Sequence, residues 1–266
     1  MTELVFAADR SYFPFVAVAM ESLYESAHHA ASIRVHLISA DLTRTSQNAF
    51  QGIARRYGGS FCCYALGDIR SALGLDDLTP HFYRLFIPYL LPSLVDRYIY
   101  LDSDLIILDD LGELFDLDLA GALVAAAIDY LPTIADGITN YRALGLAGDD
   151  PYFNSGVLVV DRHAWMKMDV VRRVVDVTRA NADHLDARGR FHQYDQYGLN
   201  VALHDRWRVM DRRWNYGSEL PFDSKVAIVH FNGHGKPWSP TCTDEYRQYF
   251  ARVVRRLGPV LKCLDQ

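Results

Sequence analysis

Two aspartates interrupt an apolar run in the second quarter of this chain. Asp102 and Asp104 follow the apolar segment Tyr98–Leu101 and precede Leu105–Leu108, which is also apolar. In an extended segment residues i and i+2 point to the same side, so the two carboxylates converge at the end of a strand. Such like charges are costly unless a cation shares them, and carboxylates prefer hard divalent ions such as Mn²⁺ or Mg²⁺. The pattern favours a metal site completed by substrate phosphates over a solvated turn.

Size and composition predict one folded domain over residues 1–266. Half of the residues are apolar and 12% are aromatic, which is enough for a large core. The formal net charge of -6 argues against a nucleic-acid binder, which needs a basic surface. The 4 cysteines form no CxxC pair, a pattern typical of free thiols in a reducing compartment. Neither a signal peptide nor a membrane-spanning stretch is recognised, so a cytoplasmic location is expected.

Strand and helix patterns alternate along the sequence. Predicted strands cover 4–8, 33–39, 60–66, 97–101, 122–129, 154–161 and 226–230, and predicted helices cover 13–27, 43–57, 81–91, 166–185, 195–203 and 245–262. This order predicts an α/β fold with a Rossmann-like, mainly parallel central sheet that is flanked by helices and buried on both faces. The last helix carries Arg252, Arg255 and Arg256 between its apolar positions. We expect it to pack on the domain, with a basic membrane-contacting helix as the alternative.

Polar residues end or follow several of the predicted apolar strands. They are Asp9, Asp102, Asp104, Asp129 and His230. Ligands of open α/β sheets bind beyond the carboxyl ends of the strands, so these five side chains are expected to line one cleft. Gly233 and Gly235 allow backbone N–H groups to approach an anion, and Lys236 adds a positive charge that suits a diphosphate. A lone histidine at a strand end is more often a satisfied polar residue than a ligand. With His230 as a nitrogen ligand, however, the metal site would fit Mn²⁺ slightly better than Mg²⁺.

An ordered set of motifs runs through nearly the whole chain. It comprises Phe6–Asp9, Tyr83–Leu85, Leu101–Asp104, Tyr152–Val157, Asp195–Gln196, Leu199–Asn200, His230–Gly233 and Lys236–Trp238. The set resembles the motifs of the retaining glycosyltransferases of family 8, a group that includes bacterial lipopolysaccharide galactosyl- and glucosyltransferases and glycogenin. A single Asp-x-Asp motif is weak, but the whole ordered set is specific. The resemblance implies a GT-A fold with a nucleotide-binding half (1–105), a donor-sugar and acceptor half (106–240) and a C-terminal amphipathic helix (241–266).

The resemblance also implies a role for each matching residue. Asp102, Asp104 and His230 would hold Mn²⁺, which bridges the diphosphate of a UDP-sugar. The residues expected to contact the donor are Ala7, Ala8, Asp9, Tyr12, Arg84, Asp102, Ser103, Asn154, Gly233 and Lys236. The candidate catalytic residues beside the sugar are Gln196, Asp195 and Asp129.

Several of these residues have a structural alternative. Arg84 would then be a surface charge and Tyr12 an ordinary core residue. Asp129 and Asp195 would cap the helices that follow them, and Asn154 would only support a turn. Burial and hydrogen-bond partners distinguish the two possibilities for each residue.

The implied reaction moves galactose or glucose from a UDP-sugar to a saccharide or lipid-linked acceptor, giving an α-linked product. The expected setting is lipopolysaccharide or other surface-glycan synthesis, in the cytoplasm or at the inner face of the membrane. A covalent intermediate needs a carboxylate on the far face of the sugar, whereas the matching position holds the amide of Gln196. We therefore expect a same-face displacement in which the β-phosphate takes the acceptor's proton.

Two other classes of protein are compatible with parts of the pattern. A non-catalytic UDP-sugar-binding protein would keep the same donor contacts without turnover. A haloacid-dehalogenase-type phosphatase also carries Asp-x-Asp after an apolar strand, but usually with Gly-Thr where this chain has Leu105–Ile106. The phosphatase motif also lies near the start of the chain, so this alternative is the weaker of the two.

Overall fold

A computed structural model describes residues 1–75, 78–187 and 194–264. Its strands are β1 (Thr2–Ala7), β2 (Ile33–Ser39), β3 (Ser60–Ala65), β4 (Arg97–Leu101), β5 (Leu105–Ile107), β6 (Val124–Thr133), β7 (Pro151–Asp161), β8 (Trp207–Val209), β9 (Tyr216–Gly217) and β10 (Ile228–His230). Its α-helices are α1 (Phe13–Ser26), α2 (Arg44–Arg56), α3 (Gly67–Leu73), α4 (Ile87–Leu90), α5 (Gly112–Phe115), α6 (Ile134–Gly137), α7 (Arg162–Lys167), α8 (Val170–Ala180), α9 (Ala182–Ala187), α10 (Tyr194–Ala202) and α11 (Asp244–Leu264). Short 3₁₀ helices cover Arg10–Tyr12, Ala30–Ser32, Pro80–Phe86 and Arg212–Trp214.

The larger sheet has the strand order β3-β2-β1-β4-β7-β6-β8. β1 pairs in parallel with β2 and β4, β2 with β3, and β6 with β8. β7 runs antiparallel to both of its neighbours, β4 and β6. The predicted mainly parallel sheet is therefore confirmed, with β7 reversed. Because of this reversal, the first residues of β7 lie at the same edge as the carboxyl ends of β1 and β4.

The strands of this sheet are covered on both faces. Leu4 and Phe6 of β1 belong to an apolar layer formed with α1, α2 and α11, whereas Val5 belongs to the opposite layer. That second layer contains residues of the 3₁₀ helix Pro80–Phe86, α8 and α10. Successive residues of a strand thus face two different apolar layers. This explains why the strands have near-continuous apolar sequences, as strands of parallel sheets buried on both faces do.

Two predicted helices are broken in the structure. The segment predicted as the helix 81–91 is a 3₁₀ helix followed by α4, because Pro88 lacks the N–H that would bond to the carbonyl of Arg84. The segment predicted as the helix 166–185 is divided among α7, α8 and α9. Between α7 and α8, Asp169 has a φ of 51°, in the left-handed region that ends a helix and that Asp tolerates.

A smaller sheet with the order β5-β10-β9 brings His230 to the two aspartates. β10 pairs antiparallel with β5, which places His230 opposite Leu105, and the N–H of Phe231 donates to the carbonyl of Asp104 at 2.9 Å. Because Asp102 and Asp104 lie in the loop between β4 and β5, this pairing places His230 beside them.

The C-terminal helix α11 packs against α1 and α2. Its buried side chains include Tyr246, Val253 and Leu257, while Arg255 and Lys262 are exposed. The last two positions of the predicted segment 241–266 lie outside the described residues. Across the described ranges, every helix is too short or too polar to span a membrane.

Candidate active site

A cleft of about 420 Å³ opens at the edge of the large sheet where β1 and β4 end. Its lining includes most of the predicted site residues, namely Ala7, Ala8, Asp9, Tyr12, Arg84, Asp102, Ser103, Asp104, Asn154, Asp195, Gln196, His230, Gly233 and Lys236. Asp129 was expected to line the cleft, but it is not among the lining residues. Its carboxylate is buried behind the wall, where it accepts hydrogen bonds from Asn154 and Gln196. The next residue in the chain, Tyr130, does line the cleft, and its side chain is exposed.

Asp102, Asp104 and His230 meet in the cleft. The Nε2 atom of His230 is 3.3 Å from Asp104 Oδ1 and 3.7 Å from Asp102 Oδ2. The other oxygen of each carboxylate is held by the protein, because Tyr100 donates to Asp102 Oδ1 at 2.5 Å and Lys236 donates to Asp104 Oδ2 at 2.5 Å. One potential ligand atom from each of the three residues lies within 4.8 Å of the other two.

Negative charge exceeds fixed positive charge around this point. Asp102, Asp104 and Asp195 face Arg84 and Lys236. Burial alone would raise the pKa of Asp104, but His230 and Lys236 outweigh burial and hold that pKa below its ordinary value. Asp104 therefore stays ionised. Two carboxylate oxygens and one imidazole nitrogen are a donor set that fits Mn²⁺ or Mg²⁺.

Arg84 links Asp102 with Asp195 and Ser155. It is 9% exposed, so the alternative of a surface charge is wrong. Its guanidinium lies 2.9 Å from Asp102 Oδ1 and 3.0 Å from Asp195 Oδ2, and it donates to the carbonyl of Ser155 at 2.7 Å. Burial raises the pKa of Asp195, against the opposing effects of Arg84 and His81.

The polar side chains of α10 bond to the backbone at the start of β7. Asn200 Oδ1 accepts from the N–H of Phe153 at 2.8 Å, and Gln196 Oε1 accepts from the N–H of Ser155 at 2.9 Å. These side-chain hydrogen bonds take the place of strand pairing where the register between β6 and β7 is irregular. The Gln196 oxygen is thus engaged by the backbone, while its Nε2 donates to Asp129 Oδ2 at 3.2 Å.

The contacts of Tyr12 and Asn154 bear on their structural alternatives, and those of Asp9 show a capping role that was not predicted. Tyr12 is 42% exposed, so it is not a core residue. Asp9 caps the 3₁₀ helix Arg10–Tyr12 by accepting from the N–H of Ser11 at 2.8 Å, and it lines the cleft as well. Asn154 likewise combines both roles, because its Oδ1 accepts from the N–H of Gly156 while the residue lines the cleft.

The structure adds cleft residues that were not among the predicted site residues, although Ser155 and Asn232 lie within the motifs noted in the sequence. The added residues are Pro80, His81, Tyr100, Tyr130, Ser155 and Asn232. The place of Tyr100 in the cleft could have been predicted, because side chains alternate along a strand and Tyr100 is two residues from Asp102. Asn215 lies behind the cluster and bonds to His230 Nδ1 at 2.9 Å. It follows a 3₁₀ helix in a stretch without hydrophobic periodicity, so the sequence carries no comparable signal.

Comparisons with known proteins point to one family. A family model described as glycosyl transferase family 8 matches residues 3–242. The chain is 30% identical over 188 residues to general stress protein A of Bacillus subtilis (strain 168), covering 64% of this chain and 63% of that protein. It is 25% identical over 263 residues to glycosyltransferase GlyE of Streptococcus pneumoniae serotype 4 (strain ATCC BAA-334 / TIGR4), covering 92% of this chain and 59% of that protein. The chain thus spans less than two thirds of the length of either relative.

A solved structure supports the fold. The chain resembles the crystal structure of the galactosyltransferase LgtC in complex with donor and acceptor sugar analogs, with a TM-score of 0.74 and 23% sequence identity. The likeness covers 96% of this chain and 96% of that one. The expected GT-A fold is therefore confirmed.

Gly156 lies so close to Asp102 and His230 that a side chain at this position would displace them. A Cβ atom at this position would lie 2.3 Å from His230 Cε1 and 2.9 Å from Asp102 Oδ2. We expect Gly156→Ala to weaken Mn²⁺ binding by at least ~10-fold, because disturbing the surroundings of metal ligands has effects of this size. Electron paramagnetic resonance of free Mn²⁺ measures the affinity.

Gly52→Ala is the matched control, because a Cβ atom at that position on α2 meets nothing within 4 Å. We expect this variant to bind Mn²⁺ like the wild type. A folded Gly156→Ala protein with wild-type Mn²⁺ affinity would contradict the importance of this close contact.

Proposed function

The chain belongs to glycosyl transferase family 8, and on this premise we propose that it is a metal-dependent, retaining hexosyltransferase that uses a UDP-sugar. The observation that carries the proposal is the convergence of Asp102 Oδ2, Asp104 Oδ1 and His230 Nε2 in a large cleft. Galactose or glucose is the proposed transferred sugar. Family membership also argues against the phosphatase alternative, whose chemistry belongs to another class of protein.

The cleft offers suitable groups for the nucleotide on the side formed by residues 1–105. The exposed ring of Tyr12 suits stacking on uracil, and Ala7 and Ala8 leave room for the base. The Asp9 carboxylate suits an N–H of the uracil edge. Gly233, with a φ of 50°, lets the backbone approach the diphosphate closely, in a conformation that other residues rarely adopt.

Asp102, Asp104 and His230 are the residues that would hold the metal, and the nitrogen ligand favours Mn²⁺ over Mg²⁺. When bound, the ion supplies Lewis-acid stabilisation of the negative charge on the leaving UDP. Lys236 adds a fixed positive charge beside Asp104. Such preorganised charges lower the barrier without reorganising during the reaction, so a strong general acid is not needed to expel UDP.

The contacts of Gln196 support retention without a covalent intermediate. Its Oε1 accepts from the N–H of Ser155 at 2.9 Å and from the Ser155 hydroxyl at 3.3 Å, which engages both lone pairs of the oxygen. An amide oxygen held in this way is a poor nucleophile. The acceptor oxygen then bonds to the anomeric carbon on the face from which UDP departs, and a β-phosphate oxygen receives the acceptor's proton. The product is α-linked.

The acceptor and the location are further parts of the proposal. Tyr130 is 58% exposed at the cleft and offers an aromatic surface for a saccharide or lipid-linked acceptor. The free cysteines suit a reducing cytoplasm. The exposed Arg255 and Lys262 of α11 suit peripheral contact with an anionic membrane face, where surface glycans such as lipopolysaccharide are assembled.

Neutralising one metal ligand tests the proposal. We expect Asp102→Asn to lower the affinity for UDP in the presence of Mn²⁺ by at least ~10-fold, about 1.4 kcal/mol, because the metal bridge to the diphosphate is weakened. A chelator should lower the affinity of the wild type to a similar extent. Isothermal titration calorimetry with and without Mn²⁺ measures both effects.

Asp96→Asn is the control, because Asp96 lies at the surface in a pair with His163. We expect its affinity for UDP to match that of the wild type. Wild-type UDP affinity that neither the chelator nor Asp102→Asn changes would refute the metal bridge. Binding of UDP-sugars without release of UDP from any of them would instead favour the non-catalytic alternative.

Mass spectrometry tests the absence of a covalent intermediate. We expect no glycosyl adduct on the peptide that contains Asp195 and Gln196 after incubation with Mn²⁺ and a UDP-sugar that turns over. The reason is that the Gln196 oxygen is engaged by Ser155 and Asp195 is paired with Arg84. The same peptide from enzyme incubated with UDP alone is the control. A trapped hexose on either residue would contradict the same-face displacement.

A further inference from the structure

A chain of hydrogen bonds links a backbone N–H group to the imidazole of His230. We propose that Asn215, the last amide in this chain, is a positioning residue that holds His230 in the tautomer that a metal requires. The inference rests on the metal-dependent function proposed above. It concerns a residue outside the lining of the cleft, which acts through His230.

The direction of the chain is set at Gly156. A backbone N–H can only donate, and this one is 2.9 Å from the side-chain oxygen Oδ1 of Asn154. The same oxygen is 2.8 Å from Asn215, whose facing atom is therefore the amide nitrogen Nδ2. The other end of Asn154 agrees, because its Nδ2 donates to the Asp129 carboxylate at 2.8 Å. The backbone thereby fixes which way both amides are turned.

The orientation of Asn215 then decides which nitrogen of His230 carries the proton. Asn215 Oδ1 can only accept, and it lies 2.9 Å from His230 Nδ1, so Nδ1 carries a hydrogen. The neutral ring then has its lone pair on Nε2, which faces Asp104 Oδ1 and Asp102 Oδ2. A hydrogen bond of this kind on the far nitrogen is how proteins orient metal-binding histidines.

The fold keeps Asn215 in this position. It lies between the 3₁₀ helix Arg212–Trp214 and β9, and β9 pairs with the strand β10 that carries His230. Trp214 is buried in the core beside it. Asn215 is 8% exposed and His230 is 3% exposed, so water is poorly placed to replace the amide if it is removed. The loss of Asn215 should therefore reach the metal through His230.

Two variants of similar shape separate the acceptor role of Asn215 from simple packing. Asn215→Leu removes the hydrogen bonds, and we expect it to weaken Mn²⁺ binding by ~10- to 100-fold, measured by electron paramagnetic resonance with and without UDP. Asn215→Asp keeps an oxygen acceptor for Nδ1, and we expect it to regain part of that affinity. Asn181→Leu is the control, because Asn181 is a half-buried amide that bonds to Asn140 away from the cluster.

Nitrogen NMR of ¹⁵N-histidine-labelled wild-type protein tests the tautomer without relying on a variant of Asn215. With Mg²⁺ and UDP bound, we expect His230 to show a protonated Nδ1 and an unprotonated Nε2. The signal is assigned by its loss in His230→Gln. This measurement decides the question even if Asn215→Leu does not fold.

The outcomes distinguish this inference from the function on which it rests. A protonated Nε2 in the Mg²⁺-loaded wild type would overturn the role of Asn215. Wild-type Mn²⁺ affinity in a folded Asn215→Leu protein would also overturn it, while leaving the proposed function intact. Failure of the wild type itself to bind Mn²⁺, alone or with UDP, would overturn the proposed function and this inference together.

Discussion

Three carboxylates gathered at one edge of the large sheet determine which other charged residues the site needs. Asp195 is buried, and Asp102 and Asp104 are half-buried near it, so their negative charges cost free energy unless positive charge is supplied nearby. Arg84 supplies it between Asp102 and Asp195, and Lys236 supplies it at Asp104. The cluster with His230 offers a position for a divalent cation, so the electrostatics of the protein and of its proposed donor are complementary.

The reversal of β7 explains how one short segment serves several parts of the site. Asn154, Ser155 and Gly156 lie in the first half of β7, at the edge where β1 and β4 end. Ser155 contacts Arg84 and Gln196, Asn154 contacts Asp129, and Gly156 leaves room for His230 and Asp102. A parallel strand in this place would put the same residues at the opposite edge.

The sequence predicts the parts of this arrangement that follow from local patterns. The apolar strands that are followed by Asp9 and Asp102 predict the sheet and the cleft, because the spacing of apolar residues indicates a buried strand within a single segment. The helix predicted over 81–91 is broken at Pro88, but the helical pattern of the surrounding residues predicts a continuous helix. The roles of Asn215 and Gly156 depend on pairing between distant segments, which no local pattern encodes. The position of Asp129 behind the cleft depends in the same way on α10 and β7.

A crystal structure with UDP and Mn²⁺, with anomalous data collected at the manganese absorption edge, tests whether Asp102, Asp104 and His230 hold a metal. We expect a single strong anomalous peak in the cleft, bonded to Asp102, Asp104 and Nε2 of His230 and to oxygens of the UDP diphosphate. A structure with UDP bound in the cleft and no manganese at these three side chains would refute the proposed metal site.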